Sequence, residues 1–426
     1  MLRIWLLSLL LLSTYLSAYD TFYPSRLKNI TETQAPDALS LFGYSSSEVR
    51  ALYLNRHTAG PSTPQFKHAL NIIARTPMNA LVIDMKNVKG DLSYPSALPE
   101  VRRTRASRHA TLRDIHRYAR ELKERGIYLI ARIAVFKDKR QALAYPSRAV
   151  HRPGGGIWRD RHSEMWVDPF DPKARAYTLA IAEEVARLGF DEINFDYIRF
   201  PAHRGLRYDR PDTRANRVVA IDSFLQEAEN RLHPLGVKVS VDVFGYVLWN
   251  PGDLQIGQVL EKMARHVDYI CPMLYPSGFY RGSVTFSNPA AHPYEIVRIS
   301  LRKGIARGVS PSKFRPWLQA FRDYAFSRHQ YKEHEIAAQI RAAEKLGASG
   351  WLLWNPSSRF PYVNRRLFTL VGDSSAENPS QVAYTPRRRS AKRSKKHQGN
   401  RHRKTHSVRE KAPSHPSHPL DILRTN

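Results

Sequence analysis

Eight short runs rich in β-branched and apolar residues recur between residues 48 and 356, each separated from the next by a longer segment, most of them of helical period. The runs are VRALYLN (49–55), ALVIDMK (80–86), IYLIARIAVF (127–136), FDEINFDYI (190–198), VKVSVDVFG (237–245), VDYICPMLY (267–275), RPWLQAF (315–321) and GWLLWN (350–355). Helical period occupies 65–75, 111–125, 173–188, 213–232, 293–308 and 330–346, and Gly126, Gly189, Gly236 and Gly347 stand where helix C-caps belong. Eight strand runs, with six of the seven intervening segments of helical period, constrain the chain to the α/β class and predict a (β/α)8 TIM barrel over 48–370. An open doubly wound sheet is the competing arrangement, but no glycine-rich phosphate loop follows the first strand.

The flanks differ in kind from this core. Residues 1–18, MLRIWLLSLLLLSTYLSA, carry an Arg at position 3, an apolar stretch and then small residues, the layout of a signal peptide cleaved after Ala18. Leu16 fits the cleavage rule poorly, so an uncleaved anchor in the inner membrane is the second expectation. Either way the protein is expected to be exported, to the periplasm or the exterior. Residues 19–47 form a lead-in. Residues 371–426 read as a disordered tail: 386–404 alone hold ten Lys/Arg, no acid and no large apolar side chain, and such a stretch cannot bury a core. The tail suits an anionic envelope polymer, and the leader argues against nucleic acid as its partner. The charge of +29 extends beyond the tail, and favours anionic surroundings throughout. Cys271 is the only cysteine, which excludes an intrachain disulfide and a cysteine-based metal site. No cofactor is expected, and the oligomeric state is not legible.

Polar residues interrupt the strands in a regular way. In GFDEINFDYIRFP (189–201), Ile193 and Phe195 share one face, while Asn194 and Asp196 share the other, with Arg199 just beyond. Parity in the fifth strand turns its valines toward the helices and Ser240 and Asp242 inward. In the second it turns Asp84 and Lys86 inward, and in the third it puts Arg132 on the same face as Ile130. Three carboxylates from three strands thus converge on the C-terminal mouth, where barrel enzymes work. Structural ion pairing with Arg132, Arg199 or Lys86 explains any one of them. It explains three less well, because each buried charge costs several kcal/mol unless compensated.

Rings and amides add to this mouth. Tyr53 and Asn55 end the first strand, Phe244 and Tyr246 follow the fifth, and Tyr275 ends the sixth. Gln319 and Phe321 lie in the seventh, and Trp351, Trp354 and Asn355 in or beside the eighth. Stacking faces interleaved with amides suit sugar rings. The insert 151–172 reads as a loop over the mouth, with Glu164 and Asp168 as secondary candidates; Asp171–Pro172 reads instead as a helix N-cap.

The ordered set NALVIDMKN, GFDEINFDYIRFP, VSVDVFGY, VDYICPMLYPS, RPWLQAF and GWLLWNP, spanning about 49–356, resembles a bacterial glycoside-hydrolase-like family whose barrel is a domain of unknown function. FDYIRFP is also similar to the LDYIRYP motif of another glycosidase-like barrel family, and both are related to the α-amylase-like barrels. In those relatives an Asp ending strand four is the nucleophile and a Glu ending strand five the acid/base. By this resemblance Asp196 takes the first role. Strand five offers Asp242 in place of Glu, and Asn194 stands where amylases have Arg, so retention or inversion is left open.

The expectation is a glycoside hydrolase acting on an envelope or secreted polysaccharide, with Asp196 as nucleophile or base and Asp242 as general acid. Asp84, Lys86, Asn194, Arg199, Tyr53, Arg132, Tyr246, Tyr275, Gln319, Trp354 and Asn355 are the expected substrate contacts. A non-catalytic carbohydrate-binding barrel is the alternative. A metal-dependent deacetylase or phosphodiesterase is disfavoured, because the 17 histidines lack metal-ligand spacing.

Overall fold

The computed structural model describes residues 48–373; the leader, the lead-in and nearly all of the basic tail lie outside them. Eight parallel strands close in sequence order into one barrel: β1 (Val49–Leu54), β2 (Ala80–Lys86), β3 (Tyr128–Ala134), β4 (Glu192–Asp196), β5 (Lys238–Phe244), β6 (Tyr269–Met273), β7 (Trp317–Gln319) and β8 (Gly350–Trp354). Every run predicted as a strand contains one. Most runs overshoot their strands by one or two residues, at the N-terminal as well as the C-terminal end.

The helices are α1 (Pro64–Arg75), α2 (Pro99–Thr104), α3 (Ile115–Glu124), α4 (Lys139–Ala144), α5 (Pro172–Arg187), α6 (Arg214–Leu232), α7 (Leu260–Met263), α8 (Pro293–Ala306), α9 (Glu333–Glu344) and α10 (Arg365–Gly372). Local chemistry sets their starts. Thr63, Asp171 and Thr213 cap α1, α5 and α6 by accepting from Phe66, Ala174 and Asn216 N–H groups, which satisfies donors the first turn leaves open. Asp171 is therefore a cap, as its Pro172 neighbour predicts. The outward faces of the strands pack on these helices: Phe195 of β4 meets Phe224 of α6 with ring centres 5.4 Å apart, and Val239, Val241 and Val243 are wholly buried. Between β5 and β6 the helical layer shrinks to the four residues of α7.

Closure depends on one glycine. Gly350 opens β8 at φ +98°, and a Cβ there would stand 2.0 Å from the Val49 carbonyl oxygen. Gly350→Ala is expected to cost at least ~3 kcal/mol through steric overlap and a left-handed backbone, read as a lowered denaturation midpoint with β8–β1 pairing weakened.

Candidate active site

Strand register stacks the polar residues in two layers. Asp84 of β2 lies opposite Arg132 of β3, Arg132 opposite Asn194 of β4, and Asn194 opposite Ser240 of β5. One inward step nearer the mouth come Asp196 and Asp242. The guanidinium of Arg132 reaches between the layers as a fork. Nη1 is 2.5 Å from Asp84 Oδ1, Nη2 is ion-paired with Asp196 Oδ2, and Nε lies 3.8 Å from Asp242 Oδ2. Burial works against the charge on Arg132, but Asp84 and Asp196 outweigh it, and the guanidinium is held still more firmly protonated than usual.

The three carboxylates differ in their other partners. Asp84 Oδ2 accepts from Tyr53 Oη at 2.6 Å. Asp196 Oδ1 accepts from the Tyr197 N–H at 2.6 Å. Asp242 is 2% exposed, and its Oδ1 accepts from Asn194 Nδ2 at 3.0 Å and Trp317 Nε1 at 2.7 Å. Burial, and then the negative charge of Asp196, push the Asp242 carboxyl well above the usual carboxylate range, against the pull of Arg132 and the two donors. Arg132 Nε and Asn194 Oδ1 are enclosed without a hydrogen-bond partner, so the cluster keeps one free donor and one free acceptor.

Rings close the side of the cluster nearest β1 and β8. Tyr53 stacks on Trp354 at 4.0 Å, Trp317 meets Trp354 edge-on at 5.4 Å, and Arg132 lies 5.3 Å from the Trp354 ring centre. Across the mouth, Tyr275 carries a phenol raised by burial and then by the charges of Asp242 and Asp196. Tyr275 and Tyr246, with Phe244, Met273, Phe279 and Tyr324, line a narrow recess of about 30 Å³. The Tyr246 hydroxyl contacts Ser283 Oγ at 2.9 Å and accepts from the Tyr280 N–H at 3.0 Å.

Other residues singled out in the sequence are occupied elsewhere. A register shift after Asp84 leaves Lys86 opposite Ile133 and turns it out of the cluster. Its ammonium is 2.8 Å from Asp138 and donates to the Ala134 carbonyl. Asn194 is fully buried and holds Asp242 and Ser240 rather than facing the opening. Gln319, also fully buried, is bonded to Ser277 and the Phe321 carbonyl, and Asn355 to the Ala320 carbonyl and Ser357, so both amides secure loops. Trp351 faces outward to Phe368.

The insert after β3 folds as an irregular antiparallel excursion, with Ala149 bridging Val167 and Arg159 bridging Met165. Within it Asp168 accepts from the Phe170 and Asp209 N–H groups, and burial raises its pKa to about 6. Its visible task is to pin the insert to the loop after β4. Glu164 Oε2 is enclosed and unbonded. Trp317 and Asp138 went unnoticed in the sequence. Trp317 shares its inward parity with Gln319, the one signal that points to it.

A parallel eight-stranded barrel with paired acids at its mouth defines a glycosidase-type architecture. Residues 51–360 match the family described as "Putative glycosyl hydrolase domain", and the chain belongs to that family. Among solved structures it is similar to the glycoside hydrolase domain of PgaB (BpsB) from Bordetella bronchiseptica. That match has 16% identity and a TM-score of 0.55, and covers 76% of this chain and 99% of that one. A hypothetical protein from Ruminiclostridium thermocellum is 33% identical over 45% of this chain and 97% of its own, with a TM-score of 0.40. The spore cortex-lytic enzyme SleL of Bacillus megaterium aligns at 14% identity and a TM-score of 0.46, over 76% and 73% of the two chains. No curated protein matches the sequence significantly.

Proposed function

We propose that the protein hydrolyses a glycosidic bond of an envelope or secreted polysaccharide, with Asp242 as general acid and Asp196 as nucleophile or general base. The observation that carries this reading is the split between the two carboxyls. Asp242 is buried and pushed toward its protonated form, while Asp196 is ion-paired to Arg132. One acid that keeps its proton beside one that is paired as an anion is the division of labour glycoside hydrolysis needs. The Asp242 proton passes to the glycosidic oxygen as the C–O bond breaks. Asp196 either attacks the anomeric carbon or takes a proton from the water that does. Arg132 fixes Asp196 and Asp84, and Trp317 and Asn194 fix Asp242. Tyr53, Trp354 and Tyr275 offer ring faces to the sugar. The expected leader and the basic charge support an envelope polymer as substrate.

Two measurements on Asp242 test the assignment. The alkaline limb of kcat/KM is expected at a pH well above 4, because the acid must hold its proton there. Stability should show the same carboxyl. Its folded pKa is raised above the unfolded value of about 3.9, so its contribution is full below that pH and declines as pH rises through the folded pKa. Asp242→Asn lacks that decline, and its melting temperature relative to wild type should climb from pH 4 upward. A constant difference across pH means that Asp242 titrates alike in the folded and unfolded chains and is not the acid.

A binding barrel without turnover is the second reading, favoured by the pairing of Asp84 with Arg132 and Tyr53 and of Asp196 with Arg132. It predicts a wild-type protein that retains glycan and releases no sugar ends.

A further inference from the structure

Two cations stand near the proposed nucleophile, and among the described residues only one of them is ion-paired. Lys137 stands three residues past the end of β3 and Arg199 three past the end of β4, so both reach the mouth from adjacent strands. Lys137 Nζ is 3.0 Å from Asp160 Oδ2. Arg199 is 4% exposed, and among the described residues no acid lies within ion-pairing distance of it. Its guanidinium lies 4.9 Å from the ring centre of Trp166, 5.4 Å from that of Tyr197 and 5.1 Å from that of Phe244. Its one hydrogen bond runs from Nη1 to the Phe200 carbonyl, at 3.2 Å.

This is unusual within the same barrel. Arg50, Arg132, Arg148, Arg217 and Arg315 are comparably buried, and each is paired with a carboxylate. Arg56, the other exception, donates to the His109 carbonyl and approaches His57. Burial pulls the Arg199 pKa down, and three aromatic faces offset only part of the cost of an unpaired buried cation. The backbone supports the arrangement at a further cost: Tyr197, whose ring flanks both cations, is held at φ +52°. Strain of this kind collects where a side chain must be aimed. A guanidinium needed only for packing would have its fork filled, as those of Arg217 and Arg315 are.

We infer that Arg199 receives an oxyanion substituent of the bound glycan, a carboxylate or a phosphate, and that the polymer held at this mouth is acidic. This rests on the reading of the mouth as a polysaccharide site. An incoming oxyanion meets the open edge of a planar fork that suits two parallel hydrogen bonds. Wall rings from Trp166 and Phe244 keep water from competing for it. Lys137 adds a second positive charge nearby, neutralised by Asp160 alone.

The test is binding by the full-length chain carrying Asp196→Asn, so that no ligand is consumed. The probes are oligouronates and phosphate-bearing oligosaccharides, each beside its neutral counterpart, methyl-esterified or dephosphorylated. The basic tail is common to every variant and cancels when variants are compared. The expected result is a preference for one anionic class over its neutral counterpart that falls by about 10–100-fold when Arg199→Gln is added, leaving only the share contributed by the tail. Arg199→Lys, which keeps the charge and loses the fork, should retain part of it and serves as the folded control if the Gln variant melts early. Which class shows the preference separates carboxylate from phosphate. A preference unchanged by Arg199→Gln overturns the inference, as does tight binding of neutral glycans alone or no binding of any anionic probe. Bond cleavage by the wild type is scored separately, so failure of the hydrolase reading is distinguishable from failure of this one.

Discussion

Arg132→Met should destabilise the barrel by about 3–5 kcal/mol at neutral pH, the cost of removing one partner from a buried ion pair. Asp84, Asp196 and Asp242 are 5%, 8% and 2% exposed, and Arg132 is the cation that reaches all three. Without it the buried carboxylates lack their cation, and the cost of an uncompensated buried charge is relieved only by protonation. The deficit should therefore shrink as pH falls toward 4, where the orphaned acids take up protons. Denaturant midpoints of wild type and variant across pH 4–8 measure it. A deficit that is small, or that does not change with pH, would mean that the carboxylates find other partners.

Asp196→Asn carries the largest expected effect on activity, a fall of at least ~10³-fold in kcat, because either role assigned to it needs an anion that an amide cannot supply. Binding should survive. The amide keeps the shape of the carboxylate and its oxygen still accepts from the Tyr197 N–H. A fall in kcat with little change in affinity marks an interaction made in the transition state. Equal losses in both would instead describe a residue that holds the loop.

Much of this was legible from period and parity. Alternation of two repeats gives the barrel, and counting by two from Ile193 and Phe195 puts Asn194 and Asp196 inside, next to Ser240 and Asp242. Parity assigns a face and leaves the partner open. Asn194 and Gln319 are inward as expected, yet the first holds Asp242 and the second a loop. Lys86 shows where counting fails, since one extra residue after Asp84 reverses its face. Arg199 lies beyond the end of β4, where no period applies: the motif marks it as an expected substrate contact, but its lack of an ion-paired carboxylate among the described residues is visible only in the structure. Arg132 lies opposite Asn194 and reaches Asp196 from the neighbouring strand, a contact in space that no linear motif displays.

The most direct test of the central claim is the release of reducing sugar ends from a panel of bacterial envelope and secreted polysaccharides, neutral and acidic, by wild type and by Asp196→Asn. Release by the wild type that disappears in the variant, while the variant still binds the same polymer, is the predicted result. Release that persists in the variant would remove Asp196 from the chemistry, and a wild type that binds a polymer without ever cutting it would make this barrel a receptor for sugar.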